Sequence, residues 1–336
     1  MAANGTSNLT MADWAKQLDP NGRPARIVEI LTQTNDILAD MTFMEGNLPT
    51  GHRTAIRTGL ASAYWRLLNQ GGAPSKGTTA QVTEQTGILE SLSRVDVELA
   101  KLGGNPDALR LNEGKAHLEG MNQEMASTLW YGAASAPEEF IGFSSRYSSL
   151  SAANAQNIVD GGGTDGSDNS SIWLIGWGDN KVSGIFPQGS TAGVQHTDFG
   201  VQLVTMSTGI AGEVMPAYVD LWQWKAGIVV EDWRYAIRIA NIDMSALIAE
   251  SSDADLTKLM TFAYHRRGGA AGPSDARWAF YMNRTCAEFL DVQRQEKVQA
   301  GGQLGYKEVD GKLVMTFRGI PIRTSDALLE TEAAVS

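Results

Sequence analysis

The sequence predicts an α+β fold in which a projecting β-hairpin and one long helix precede a β-rich body. Three observations carry this expectation. Extended runs at 53–68 and 78–92 flank a Gly- and Pro-containing loop at 69–77. Apolar residues at helical spacing occupy 107–131, and strand-like runs then recur as far as 322.

A chain of 336 residues with 43% hydrophobic and 8% aromatic residues can fill one large domain or two modest ones. Its 36 glycines, many clustered, imply frequent turns. The formal net charge of −11 argues against a dedicated nucleic-acid binder, whose affinity rests on Lys and Arg. It suits a soluble protein made in quantity. Cys286 is the sole cysteine, so no intrachain disulfide forms and a reducing compartment is expected. The opening MAANGTSNLTMADW lacks the basic start and apolar run of a signal peptide. Apolar stretches such as 172–177 fall far short of the ~20 residues a membrane helix needs. The chain is therefore expected in the cytosol where it is made.

The elements follow in order. Residues 1–9 are small and polar. Thr10 with Asp13 forms a weak capping box for a short helix carrying Trp14 and Leu18. Pro24 suits a first helical position, and Ile27, Ile30, Leu31, Ile37, Leu38 and Met41 follow at helical spacing. The hairpin comes next. Arms of about 16 residues would reach roughly 50 Å at ~3.3 Å per residue, beyond the edge of a small domain. Between Glu45 and Glu84 there is no acidic residue, whereas Arg53, Arg57, Arg66 and Lys76 contribute +4. A solvated basic loop is the plain reading of such a segment. On an acidic chain the pattern also suits docking on another copy, since residues 160–260 carry thirteen acids against five bases.

After the turn at 103–106, the helix over 107–131 places Ala108, Leu111, Leu118, Met121, Met125 and Leu129 on one stripe, with Gly114 and Gly120 as weak points. Residues 132–170 read as loop. Strands are expected at 172–177, 181–186, 202–206 and 218–224. Another is expected at 228–242, with Trp233, Tyr235, Ile237 and Ile239 facing inward and Asp232, Arg234 and Arg238 outward. Helices are expected at 256–265 and 275–296, then strands at 304–308 and 312–322 around a turn at 310–311.

Chemistry-bearing patterns are sparse. His52, His117, His196 and His265 show no metal-ligand spacing. Cys286, beside Thr285, Ala287 and Phe289, reads as a buried small hydrophobe rather than a nucleophile. The phosphate-loop pattern fails at 71–78, because Ser75 precedes Lys76 and Gly77 follows it. Asp165, Asp168 and Asn169 lack calcium-loop spacing. The pairs Glu138–Glu139 and Glu231–Asp232 have no partners for an acid–base site. Trp173, Trp177, Trp222, Trp224 and Trp233 fall on expected strands and read as core. No catalytic residue, metal or cofactor is expected.

Several strings carry a resemblance. EGNLPTGHRTAIRTGL at 45–60, WRLLNQGGAPSKGTTAQVTE at 65–84, MNQEMASTLWYG at 121–132, GVQHTDFG at 193–200 and DLWQWKAGIVVEDWRYAIRIANID at 220–243 resemble the major capsid proteins of epsilon 15-like podophages. The likeness spans about 10–330, and the order of elements matches the capsid fold first described for phage Hong Kong 97. The resemblance implies an N-terminal arm at 1–40 and an extended loop at 41–85. It further implies a peripheral domain at 86–134 with 300–336, carrying the long spine helix, and an axial domain at 135–299. It implies hexamers and pentamers of this chain in an icosahedral shell that encloses double-stranded DNA without reading its sequence. A scaffolding protein and a portal are implied as partners, and a decoration protein is allowed for; no membrane is involved. The candidate intersubunit contacts are Arg53, Arg57, Trp65, Arg66 and Lys76 in the hairpin, with Ile27, Ile30 and Leu31 in the arm. A tail or decoration protein, or a β-rich hydrolase, stands as the alternative.

Overall fold

The computed structural model describes residues 32–102, 104–164, 166–205, 213–249, 254–267, 276–296, 304–309 and 312–336. The expected helix of Trp14 and Leu18, the arm positions Ile27, Ile30 and Leu31, and the turn at 310–311 lie outside them. The described end of the arm helix is only α1 (Asp36–Asp40), preceded by non-helical backbone. Asn35 bridges antiparallel to Ser325, with the Asp326 amide donating to the Thr34 carbonyl, while the Asn35 carbonyl accepts from the Leu38 amide at the start of α1.

β1 (Phe43–Glu45) pairs in parallel with β7 (Val182–Phe186). The hairpin is then β2 (Gly51–Gly59) against β3 (Thr78–Gln85), in register from Gly51↔Gln85 to Gly59↔Thr78. Its arms are nine and eight residues, not sixteen, and residues 60–77 form a tip without strand structure. The shortfall has two causes. The tip has no second strand to pair with, and the run after β3 turns away as β4 (Gly87–Asp96) to join the body sheet. Gly227 lets that crossing happen, since a Cβ there would lie 2.7 Å from the Gln85 carbonyl oxygen.

The short helix α2 (Val97–Leu102) leads into α3 (Pro106–Tyr131), the expected long helix. Asn105 caps it, its Oδ1 accepting from the Ala108 amide at 3.2 Å, and Pro106 opens it. Its buried face carries Leu109, Gly114, Met121, Met125 and Leu129. Leu111 and Leu118, expected on that face, are exposed. The face is set by Trp222, whose ring fills the space over Gly114 and would lie 2.9 Å from a Cβ there.

The remaining elements are α4 (Phe143–Arg146), β5 (Ile158–Asp160), β6 (Asn169–Trp177), β8 (Val194–Thr205), β9 (Val214–Val230), β10 (Ala236–Asp243), α5 (Met244–Ile248), α6 (Leu256–Arg266), β11 (Arg277–Met282), α7 (Arg284–Glu296), β12 (Leu304–Val309), β13 (Lys312–Phe317) and β14 (Ile320–Thr324). The main sheet runs β12-β13-β14-β11-β6-β7-β9-β4, with β10 on β6, β5 on β10 and β8 on β9. Long β9 serves two neighbourhoods. Its first part lies between β8 and β4 beneath α3, and its end pairs with β7. β14 pairs in parallel with β11 in the central sheet, while Ser325 and Glu332 accept hydrogen bonds from Trp130 and Tyr131 at the end of α3.

Three expectations are corrected here. The stretch 228–242 is not one strand: β9 ends at Val230, a 3₁₀ turn spans Trp233–Tyr235, and β10 follows. Asp232 accepts from the Arg234 amide and holds that turn. β10 is buried on both faces, so alternation could not describe it, and Arg238 points inward to Glu332. The stretch 275–296 is not one helix either. Arg277–Met282 is a buried strand between β6 and β14, and Asn283 starts α7 by accepting from the Cys286 amide at 2.7 Å. A short apolar run does not distinguish buried strand from buried helix by periodicity. The run 312–322 is also divided, by a turn at Arg318 and Gly319, both at positive φ as a tight two-residue hairpin requires.

The core holds Trp130, Trp173, Trp177, Phe143, Tyr147 and Tyr281, with neighbouring ring centroids 5.7–6.3 Å apart. Burial pushes the hydroxyls of Tyr147 and Tyr281 well above the usual tyrosine range. Inside the same core Arg238 meets Glu332 at 2.8 Å, with side chains 3% and 5% exposed. Ser171 and Tyr131 donate to that carboxylate as well, so the buried charge is both paired and hydrogen-bonded.

Candidate intersubunit surfaces

Among the described residues, the hydrogen bonds and ion pairs that hold the hairpin to the body gather at its root. Glu84, the first acid after the long acid-free stretch, is buried and receives Arg146 from α4 at 2.5 and 2.8 Å. Arg146 also donates to the carbonyls of Ile141 and Ile228. Opposite it, His52 approaches Glu231 at 3.6 Å and Thr54 donates to the same carboxylate. Asn47 closes the root from outside, accepting from the Arg53 amide at 2.7 Å and donating to its carbonyl at 2.8 Å. Gly51 is required here, because a Cβ would collide with the Glu84 carbonyl oxygen.

Beyond the root the hairpin meets solvent. Every residue from 60 to 83 is exposed. Trp65 is fully exposed, Leu68 is 91% and Leu60 83% exposed, and Tyr64 and Leu67 stand beside them. Monomeric proteins rarely expose apolar side chains clustered in this way. Arg57, Arg66 and Lys76 make no ion pair among the described residues, and the Arg53 guanidinium donates to Thr83 of the facing strand.

A second surface lies over α3 and β8. Arg110 binds Asp220 through two nitrogens at 2.7 and 3.1 Å and Asp198 at 2.8 Å. Hydrogen bonding from Arg110 holds the Asp198 carboxyl below its ordinary range, and Asp220 does most to hold the Arg110 guanidinium above its own. Trp222 lies stacked with both His117 and His196, at centroid distances of 5.4 and 5.1 Å. Around this polar cluster β8 presents Phe199, Val201 and Leu203 to solvent. β8 pairs with β9 alone and leaves its other edge without a strand among the described residues.

The family model for major capsid protein GP7 matches residues 19–336, nearly the whole chain. The chain belongs to the major capsid protein GP7 family. It is a shell-building subunit of a phage head, and such subunits assemble with copies of themselves. The solved bacteriophage epsilon15 particle contains a chain that is 34% identical, with a TM-score of 0.81, over 100% of this chain and 99% of that one. A chain of the bacteriophage JBD30 capsid is 10% identical with a TM-score of 0.45, covering 89% of this capsid subunit and 92% of its own length. A chain of a native GTA particle capsid is 9% identical with a TM-score of 0.45, over 70% and 99%. No curated protein matches.

In this capsid subunit Arg53 and Arg57 lie on β2, while Trp65, Arg66 and Lys76 lie in the strand-free tip. The structure therefore gathers the hairpin candidates on one arm, whereas Ile27, Ile30 and Leu31 fall outside the described residues. Reading the hairpin by its charge overlooked Leu60, Tyr64, Leu67 and Leu68. The signal was present in LASAYWRLLNQ, an apolar-rich string that no alternation assigns to a buried face.

Proposed function

We propose that the hairpin of Gly51–Gln85 ties each capsid subunit to the next, its apolar tip docking on an adjacent copy and its four cations meeting that copy's acidic surface. The observation that carries this is the exposure of every residue from 60 to 83 around a fully exposed Trp65. Burying Trp65, Leu67 and Leu68 in a neighbour is worth about 1.5–3 kcal/mol for each side chain, before the cost of ordering the arm. The exposed ion pairs add only ~0–1 kcal/mol each, so the apolar tip supplies most of the grip. The arm containing Ile27, Ile30 and Leu31 is a second clamp in this reading. A scaffolding protein and a portal complete the assembly in the host cytoplasm, with room for a decoration protein outside. The division into arm, extended loop, peripheral and axial domains belongs to the same proposal. The role is structural rather than catalytic.

The test is a Trp65→Ser/Leu68→Ser double variant, purified as the unassembled subunit and then allowed to assemble. Unfolding of the subunit should match the wild type, because both side chains are already in solvent, while closed particles in sedimentation and electron microscopy should be lost. Closed particles at wild-type yield would refute the docking role.

A further inference from the structure

We propose that a cavity beside the hairpin root is the socket for Trp65 of an adjacent copy, an inference that rests on the docking reading above and names the receiving site. The cavity lies between β4, α3 and the loop that follows α3, and measures about 170 Å³. Its floor is Leu89, Met125 and Phe140, the last two buried, and its rim is Glu124, Glu138 and Glu139. None of these three carboxylates has an ion pair or hydrogen bond among the described residues. A shallower groove runs on past Leu89 and Glu124 to Glu90. Gly120 keeps that groove open, with no atom within 4 Å of where a Cβ would stand.

An apolar floor ringed by unpaired carboxylates suits an apolar group with a cation beside it. This chain holds such a group in solvent. Trp65 is fully exposed and Arg66 follows it directly, in a stretch with no acid between Glu45 and Glu84. An apolar cavity of roughly 150 Å³ admits a benzene ring, so this one takes the six-membered ring of an indole. Arg66 then lies at the rim, where the carboxylates face it. Trp and Arg seated in desolvated pockets are the side chains that most often dominate binding between proteins. The rim repels the acidic remainder of the chain, which leaves the hairpin as its match.

Position makes the contact one between copies. The cavity begins at Gly87, two residues past the end of β3, at the base of the same hairpin whose tip carries Trp65. Arms of nine and eight residues place that tip roughly 25–30 Å away, at ~3.3 Å per residue. Knob and socket at opposite ends of one arm do not meet within a copy. Between copies they form a head-to-tail contact, which closes into a ring where its rotation allows. Each subunit of such a ring gives one Trp65 and receives one.

The test replaces Trp65 with the photoreactive aromatic benzoylphenylalanine in the full-length chain and mixes isotope-labelled with unlabelled copies before assembly. Irradiated particles, digested and read by mass spectrometry, should show mixed-isotope crosslinks from position 65 to the peptides holding Met125 or Phe140. Crosslinks that never mix isotopes, or that mix them only at other surfaces, would overturn the socket. A second arm reverses charges. Glu124→Arg/Glu138→Arg should leave unfolding of the unassembled subunit at the wild-type midpoint, since neither carboxylate has a partner to lose, yet should abolish closed particles in sedimentation. Adding Arg57→Glu/Arg66→Glu to the same chain should bring them back. Closed particles at wild-type yield in the first variant, or none in the combined chain, would also overturn the proposal. Mixed-isotope crosslinks to another surface sink this socket alone and leave the docking reading standing, whereas wild-type assembly of Trp65→Ser/Leu68→Ser sinks that reading itself.

Discussion

Replacing Arg146 by Met should expose how the hairpin root is held. Arg146 gives Glu84 two hydrogen bonds and also satisfies the carbonyls of Ile141 and Ile228. Glu84 is buried and has no other cation among the described residues, so the single variant strands a carboxylate and should cost about 3–5 kcal/mol. In Glu84→Met/Arg146→Met the stranded charge is gone and apolar bulk fills the site. What remains is two less well satisfied carbonyls, at about 1–2 kcal/mol together. The double variant should therefore be more stable than the single by about 1–4 kcal/mol, from the difference of those costs. Denaturant unfolding of the unassembled subunit, followed by tryptophan fluorescence, reads both values from the shift in midpoint at constant slope. A loss below about 1 kcal/mol for Arg146→Met, or a double variant no better than the single, would show that the pair does not anchor the root.

Three further outcomes follow from named contacts. Arg57→Glu/Arg66→Glu should lower assembly yield in sedimentation more than Arg57→Ala/Arg66→Ala, because reversal adds repulsion to lost pairing; equal yields would remove charge from the hairpin's role. Gly114→Ala should destabilise by about 1–2 kcal/mol, because Trp222 is stacked with His117 and His196 and has little room to yield. Gly120→Ala, with nothing within 4 Å, should stabilise by up to ~1 kcal/mol, and thermal melts of the pair compare them directly. Burial pushes the Cys286 thiol up to about 12, so at pH 8 only about 10⁻⁴ of it is thiolate. Iodoacetamide should leave the native subunit unlabelled while modifying it fully in denaturant, and denaturing gels of particles should show one band near 36.1 kDa.

The long helix was legible because several signals agreed: Asn105 and Pro106 at its start, apolar spacing within it, and Gly132 after it. Its buried face was less so. Leu111 and Leu118 look like core until Trp222, over a hundred positions later, takes the space above Gly114. The hairpin's position and charge were readable, but its length was not. Residues 87–92 carry the same strand signal whether they pair with 53–59 or, as they do, with β9. Arg238 shows the deeper limit. Its alternation with Ile237 and Ile239 points it to solvent, and only Glu332, ninety-four residues away, makes an inward arginine tolerable. The exposed tip was readable in principle, because an apolar cluster with no face to bury it is itself a statement about partners.

The pairing of Arg238 with Glu332 also sets an order of events during synthesis. Asn35 and Ser325 close a contact across 290 positions, and Glu332 backs onto Asn169 through its own amide. The central sheet thus cannot complete its polar interior until residues 325–332 have left the ribosome. Before that moment β10 carries a cation with no anion, and the native arrangement is disfavoured. Contacts this distant in sequence also slow the final step. A chain that folds only after its later residues emerge presents no finished neighbour for another copy to join.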